Sequence, residues 1–87
     1  MRLIIKHHIA SKIESKHNVT VKEIFEVLEG VFLYTRVKGN RYRIIGKTFA
    51  GRFLTLFVDK KGQIYELVTA RDSTDAEKRL YRKEMKR

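Results

Sequence analysis

The stretch VFLYTRVKGNRYRIIGKTF, Val31–Phe49, decides the fold. Apolar, β-branched and aromatic residues alternate with polar ones on both sides of Gly39-Asn40. That pair suits the two-residue turn of a hairpin, because both residues tolerate a positive φ. The stretch therefore reads as two antiparallel strands, Val31–Val37 and Arg41–Phe49. Toward the C-terminus the period of two continues. Ala50-Gly51 is a second two-residue turn candidate and Arg52–Val58 a third strand. Asp59-Lys60-Lys61-Gly62 suits a type I turn closed by glycine, and Gln63–Ala70 is a fourth strand. Phe53-Leu54-Thr55-Leu56-Phe57-Val58 is nearly continuous in apolar character, as expected of an inner strand covered on both faces. Consecutive hairpins make an antiparallel meander.

Toward the N-terminus the period changes at Gly30. Val21, Ile24, Phe25, Val27 and Leu28 form a helical stripe, opened by a capping box of Thr20 with Glu23. Ahead of it, Ile9, Ala10 and Ile13 sit at helical spacing between His8 and His17, and Asn18 fits a left-handed helix C-terminus. Leu3-Ile4-Ile5 reads as a short strand. Thr74 with Glu77 is a second capping box, opening a C-terminal helix to about Lys86. The expected architecture is α+β: a short N-terminal strand, two helices, a four-stranded antiparallel meander and a C-terminal helix, as one domain over residues 1–87.

Eighty-seven residues with 43% apolar content build a thin core, without room for a deep cofactor pocket, and no cofactor is expected. There is no cysteine, so neither disulfides nor thiolate metal sites reinforce it, and three histidines at unremarkable spacings do not point to a metal. No apolar run approaches the ~20 residues that span a bilayer, and no signal-peptide core is present, which makes the cytoplasm the expected location.

The net charge is +10, and its placement is more informative than its size. Residues 1–30 are close to balance. From Gly30 to Val58 there is no acidic residue, while Arg36, Lys38, Arg41, Arg43, Lys47 and Arg52 are basic. A solvated surface without a partner interleaves the two signs, so a one-sign block points to a polyanion. By the strand period Arg41, Arg43 and Lys47 share one face and form the leading phosphate-binding candidate; a solvated face made basic for solubility is the alternative.

Several short blocks resemble the BrnT family of toxins: Arg41-Tyr-Arg-Ile-Ile-Gly-Lys47, Gly51-Arg52-Phe-Leu, Val68-Thr-Ala-Arg71, then Glu77 and Tyr81, with Lys16-His17-Asn18-Val19 similar to a lysine-histidine-glycine-valine segment. Asn18 stands where the family often has glycine, and Ile5-Lys6-His7-His8 replaces an acidic Trp-Asp pair. The resemblance implies a RelE-like fold and metal-independent RNA cleavage. It also implies a partner antitoxin whose own domain carries the complex to operator DNA; the acid-free stretch from Gly30 to Val58 makes that antitoxin expected to be acidic where it covers the toxin.

Metal-free RNA cleavage requires that the 2′-hydroxyl lose a proton, the 5′-oxygen gain one, and the phosphorane charge be stabilised. Arginine suits the last task through its permanent charge and planar fork. Arg52, at a strand end after a glycine turn, either snorkels to water or reaches a ligand, and with Arg71 it is the catalytic pair expected to stabilise the phosphorane. Arg71 either binds phosphate or pairs with Asp72, Asp75 or Glu77. Glu77 and Tyr81, four apart on one helix face, are catalytic candidates by the resemblance; helix capping for Glu77 and packing on the sheet for Tyr81 are the alternatives. His17 lies near a helix C-terminus, where the dipole alone favours it. Tyr34, Tyr42 and Tyr65 are strand aromatics that either stack bases or pack. The leading expectation is a toxin endoribonuclease. A non-catalytic basic RNA-binding module and a protein-interaction domain receiving an acidic segment are the alternatives.

Overall fold

A computed structural model describes residues 1–86. The elements run β1 (Leu3–Ile4), α1 (His7–His17), α2 (Val21–Glu29), β2 (Leu33–Lys38), β3 (Arg41–Lys47), β4 (Phe53–Lys61), β5 (Ile64–Asp72) and α3 (Asp75–Glu84). Both capping boxes form. The Thr20 and Thr74 hydroxyls accept from the N–H groups of Glu23 and Glu77, whose carboxylates reach back. Asn18 takes the left-handed conformation at φ 53°, and its N–H and that of Val19 close the end of α1. No helix among the described residues is long and apolar enough to cross a membrane.

The meander is present, but the sheet has five strands in the order β1-β5-β4-β3-β2. The N-terminal strand joins the outer side of β5 in parallel, so the sheet is mixed rather than purely antiparallel. Two turns also fall elsewhere than expected. Gly51, at φ +89°, donates to the Thr48 carbonyl and places Phe49-Ala50 at the corner. Asp59-Lys60-Lys61 belongs to β4, because Asp59 pairs with Arg41 and Lys61 with Ile64, and the turn is Gly62-Gln63.

Strand alternation divides the sheet into two faces. Leu54, Leu56 and Val58 of β4 pack with Ile44, Leu67 and Ala70 against Ile13, Val19, Ile24 and Val27 of the α1–α2 side. Gly46 permits the approach of α2 to β3: a Cβ there would lie 2.8 Å from Val27 and 3.2 Å from Phe32. The other face carries Ile45 and Leu33 beneath Tyr81, Leu80 and Met85, so α3 crosses the sheet at the end of β3. Thr55, the polar interruption in the apolar run, points to this second face and is fully buried. A bulge in β5 opposite Phe57-Val58 leaves Val68 unpaired. It turns Leu67 toward α1–α2 and Arg71 toward α3, which an unbroken period of two would have put on one face.

A candidate nucleic-acid interface on the α3 face

Glu77 is the hub of the α3 face. As the third residue of a capped helix it is directed at the sheet, and it is only 8% exposed at its side chain. Its Oε1 accepts from the Thr74 N–H at 2.8 Å, the Thr55 hydroxyl at 3.0 Å and Arg71 Nη1 at 2.7 Å. Its Oε2 accepts from Arg71 Nη2 at 2.9 Å, and Arg43 Nη1 lies 3.8 Å away. Burial pushes this carboxyl up, but the Arg71 fork, the Thr74 N–H and the Thr55 hydroxyl outweigh it and hold the pKa at about 2. Ser73 completes the buried network through its 2.7 Å contact with the Thr55 hydroxyl. Nothing in the spacing of Ser73 indicated that role; Thr55, polar inside an apolar strand, was the available signal.

Arg71 and Arg43 flank this anion and still reach solvent, at 32% and 29% side-chain exposure. Arg71 also lies over the Phe57 ring at 5.5 Å, and Arg43 is the cross-strand partner of Phe57. Arg43 Nε is buried without a hydrogen-bond partner. The result is two guanidiniums positioned by one fixed carboxylate, on a sheet surface that α3 leaves open.

The other expected site residues are dispersed. Arg41 is held by Asp59 in a two-point contact of 2.8 and 3.0 Å. The acid-free stretch ended one residue before Asp59, and the hairpin folds that carboxylate back opposite Arg41. Lys47 shares a face with Arg43, as the period implied, but buried Ile45 lies between them under Tyr81. The anticipated patch of Arg41, Arg43 and Lys47 is therefore cut by α3 and partly neutralised.

Arg52 does not join Arg71, which corrects the expectation of a paired arginine site. It lies on the opposite face, where its fork donates to Asp72 at 2.8 Å, Glu23 at 3.1 Å and the carbonyls of Asn18 and His17 at 2.8 and 3.0 Å. It ties the end of α1 and the start of α2 to the sheet. Tyr81 is buried edge-on to Phe53, and its hydroxyl donates to the Val31 carbonyl at 2.9 Å. His7 and His8 open α1 on the other side of the sheet, and the His17 carbonyl serves Arg52. Tyr34, Tyr42 and Tyr65 form one cluster at the rim of the α1–α2 core. Tyr34 and Tyr42 stack at 4.6 Å, and the Tyr34 and Tyr65 hydroxyls meet at 2.7 Å.

By sequence, the chain matches no family profile and no curated protein. By structure it is similar to the crystal structure of the Brucella abortus ribonuclease toxin BrnT, with a TM-score of 0.70 at 14% identity, over 86% of this chain and 99% of that one. A structural likeness that spans nearly all of the smaller chain, at an identity too low to come from shared side chains, establishes that this chain has a BrnT-like fold.

Proposed function

We propose that this protein is the toxin of a toxin–antitoxin pair and a metal-independent endoribonuclease that acts on RNA laid across the open part of the α3 face. The observation that carries this reading is the BrnT-like fold, joined to the solvent-reaching Arg43 and Arg71 around a fixed carboxylate. In it, Arg71 and Arg43 bind the scissile phosphate and offset the charge of the phosphorane. Glu77 is a positioning residue. A carboxyl held near 2, with both oxygens already accepting hydrogen bonds, is a weak base at neutral pH. Tyr81 fixes α3 over the sheet through Val31, and Arg52 holds the helices on the far side. The antitoxin, RNA as substrate, operator DNA reached only through the antitoxin complex, and a cytoplasmic setting all follow from the toxin reading.

Induced expression followed by RNA sizing, with purified protein and RNA in EDTA as the direct assay, tests this. Growth arrest with RNA cleavage that persists in chelator is the expected result. Cleavage that disappears in EDTA and returns with Mg²⁺ overturns the metal-free mechanism. Glu77→Gln keeps an acceptor for Thr74 and Thr55 and should retain activity to within about tenfold, whereas losing a developing-charge donor costs on the order of 10²–10³. A 10²-fold loss in Glu77→Gln returns that residue to proton transfer.

One observation favours the second reading, a non-catalytic RNA-binding module. Neither titratable group beside the arginines is free for proton transfer, Glu77 being pinned as an anion and the Tyr81 hydroxyl bonded to a carbonyl. RNA binding without cleavage by the unaltered protein would establish that reading instead.

A further inference from the structure

The crossing of α3 leaves a second basic site, separate from the Arg43–Arg71 face. On its far side, three cations converge on the ring of Phe53: Arg82 at 5.2 Å, Lys47 at 5.6 Å and Lys78 at 5.9 Å from the centroid. Three arginines elsewhere are closely paired, Arg41 with Asp59, Arg52 with Glu23 and Asp72, and Arg71 with Glu77. Here no carboxylate among the described residues forms a close ion pair with Lys47, Arg82 or Lys86, and Asp72 acts on Lys78 from longer range. A single ring attracts each cation by only about 0.5–1 kcal/mol at an exposed site, while the cations repel one another by comparable amounts. The cluster is thus open to an anion from outside the described residues.

Beside this cluster opens a groove of about 520 Å³, lined by Val31, Lys47, Tyr81, Arg82, Met85 and Lys86. Its lining combines the cations Lys47, Arg82 and Lys86 with the apolar surface of Val31 and Met85. Val31 is 71% exposed, a large fraction for a valine next to a buried tyrosine. The Tyr81 hydroxyl is already bonded to the Val31 carbonyl, and the cations ring Phe53. The apolar part of the lining therefore presents aliphatic surface rather than the hydrogen-bonding edges and open ring faces that hold a nucleobase.

We propose that this groove docks a segment of a protein partner in which an apolar anchor is flanked by Asp or Glu. The anchor would cover Val31 and Met85, and the carboxylates would meet Lys47, Arg82 and Lys86, so the charge complementarity is complete and the apolar surface is removed from water. The inference does not require the ribonuclease reading. Where that reading holds, the groove is the place for an antitoxin segment beside the RNA face, not on it.

Selection of a random-peptide display library on the intact protein tests this. Enriched peptides should carry large apolar residues spaced i, i+3 or i+4 with acidic neighbours. The best of them, made synthetically, should bind at least tenfold more weakly to Lys47→Glu/Arg82→Glu and to Val31→Asp. Lys47→Gln/Arg82→Gln, with a melting curve confirming the fold, guards against a merely destabilised variant and should weaken binding in the same direction. Binding of a single-stranded oligoribonucleotide should be the same in these variants as in the parent. No enrichment, enrichment of peptides without acidic residues, or peptide binding that none of the substitutions moves overturns the proposal. So does a tenfold loss of oligoribonucleotide affinity in the Gln pair, which would make the groove part of the RNA interface. If the parent binds no RNA, it is the ribonuclease reading that fails, and the peptide measurement still decides the groove.

Discussion

Arg52 and Arg71 differ by one step of strand alternation, and that step separates a guanidinium shared among four acceptor groups from one held by two, at similar side-chain exposures of 25% and 32%. Both flank strand ends, Arg52 just before β4 and Arg71 next to last in β5, and both meet a carboxylate closely, at 2.8 and 2.7 Å. Arg52 points to the α1–α2 side, where Glu23, Asp72 and two helix-end carbonyls occupy its fork. Carbonyls at a helix C-terminus carry partial negative charge and lack intrahelical partners, so a guanidinium there satisfies both needs. Arg71 points to the α3 side, where the Glu77 carboxylate and the Asp72 carbonyl take its Nη groups while part of its surface stays open beside Arg43. A carboxylate partner alone does not separate a structural arginine from a ligand-binding one. The decisive difference is how many acceptors beyond that partner the fork already serves.

The sharpest way to break this contrast is Arg71→Lys, which keeps the charge and loses the fork. RNA cleavage should fall by about 10²–10³, equivalent to about 3–4 kcal/mol, in an assay normalised to folded protein. Arg52→Lys in the same assay should leave the rate per folded molecule unchanged, and an equal loss from both would erase the distinction. Next in size is an acid limb of stability. The Glu77 carboxyl is held below its ordinary value of 4.5, at about 2, so its contribution is complete above pH 4.5 and is lost as pH falls toward 2. That contribution is of order 3 kcal/mol, and urea melts at pH 3 should show Glu77→Gln losing less stability on acidification than the parent. Arg52→Ala should cost about 2 kcal/mol in chemical denaturation, since it strands Glu23 and two helix-end carbonyls at a partly exposed site. The smallest effect belongs to Arg41→Ala. Its exposed pair with Asp59 is worth about 0.2–1 kcal/mol, and the salt dependence of RNA binding should keep a log–log slope near −1.4, roughly −0.7 for each of two phosphates held by Arg43 and Arg71. A slope that shrinks by half in Arg41→Ala would return Arg41 to the phosphate-binding set.

The elements themselves were legible in the sequence. Thr20–Glu23 and Thr74–Glu77 are capping boxes because each hydrogen bond spans three residues, and the Gly39-Asn40 turn forms with Gly39 alone at positive φ, 58°. The site was less legible. Of its residues, Arg43 and Arg71 stand out as cations and Glu77 as a capping residue, but their meeting depends on the β5 bulge and the docking of α3. Thr55, polar inside an apolar strand, was the one local sign of this network, and Ser73 gave none of its buried hydrogen bond.

The sequence by itself determined the helices, the strands, their caps, and the antiparallel order of β2 to β5, since these depend on contacts and periodicities within a few residues of chain. Only the tertiary structure decided that β1 adds a parallel fifth strand and that Asp59 neutralises Arg41. It also decided that α3 divides the basic face of β3, and that Arg52 and Arg71 look in opposite directions. These outcomes rest on pairing register, on one bulged residue and on where a helix settles against the sheet. Such long-range contacts are set when the two apolar clusters close, and a single-residue shift in register exchanges the faces of every side chain that follows.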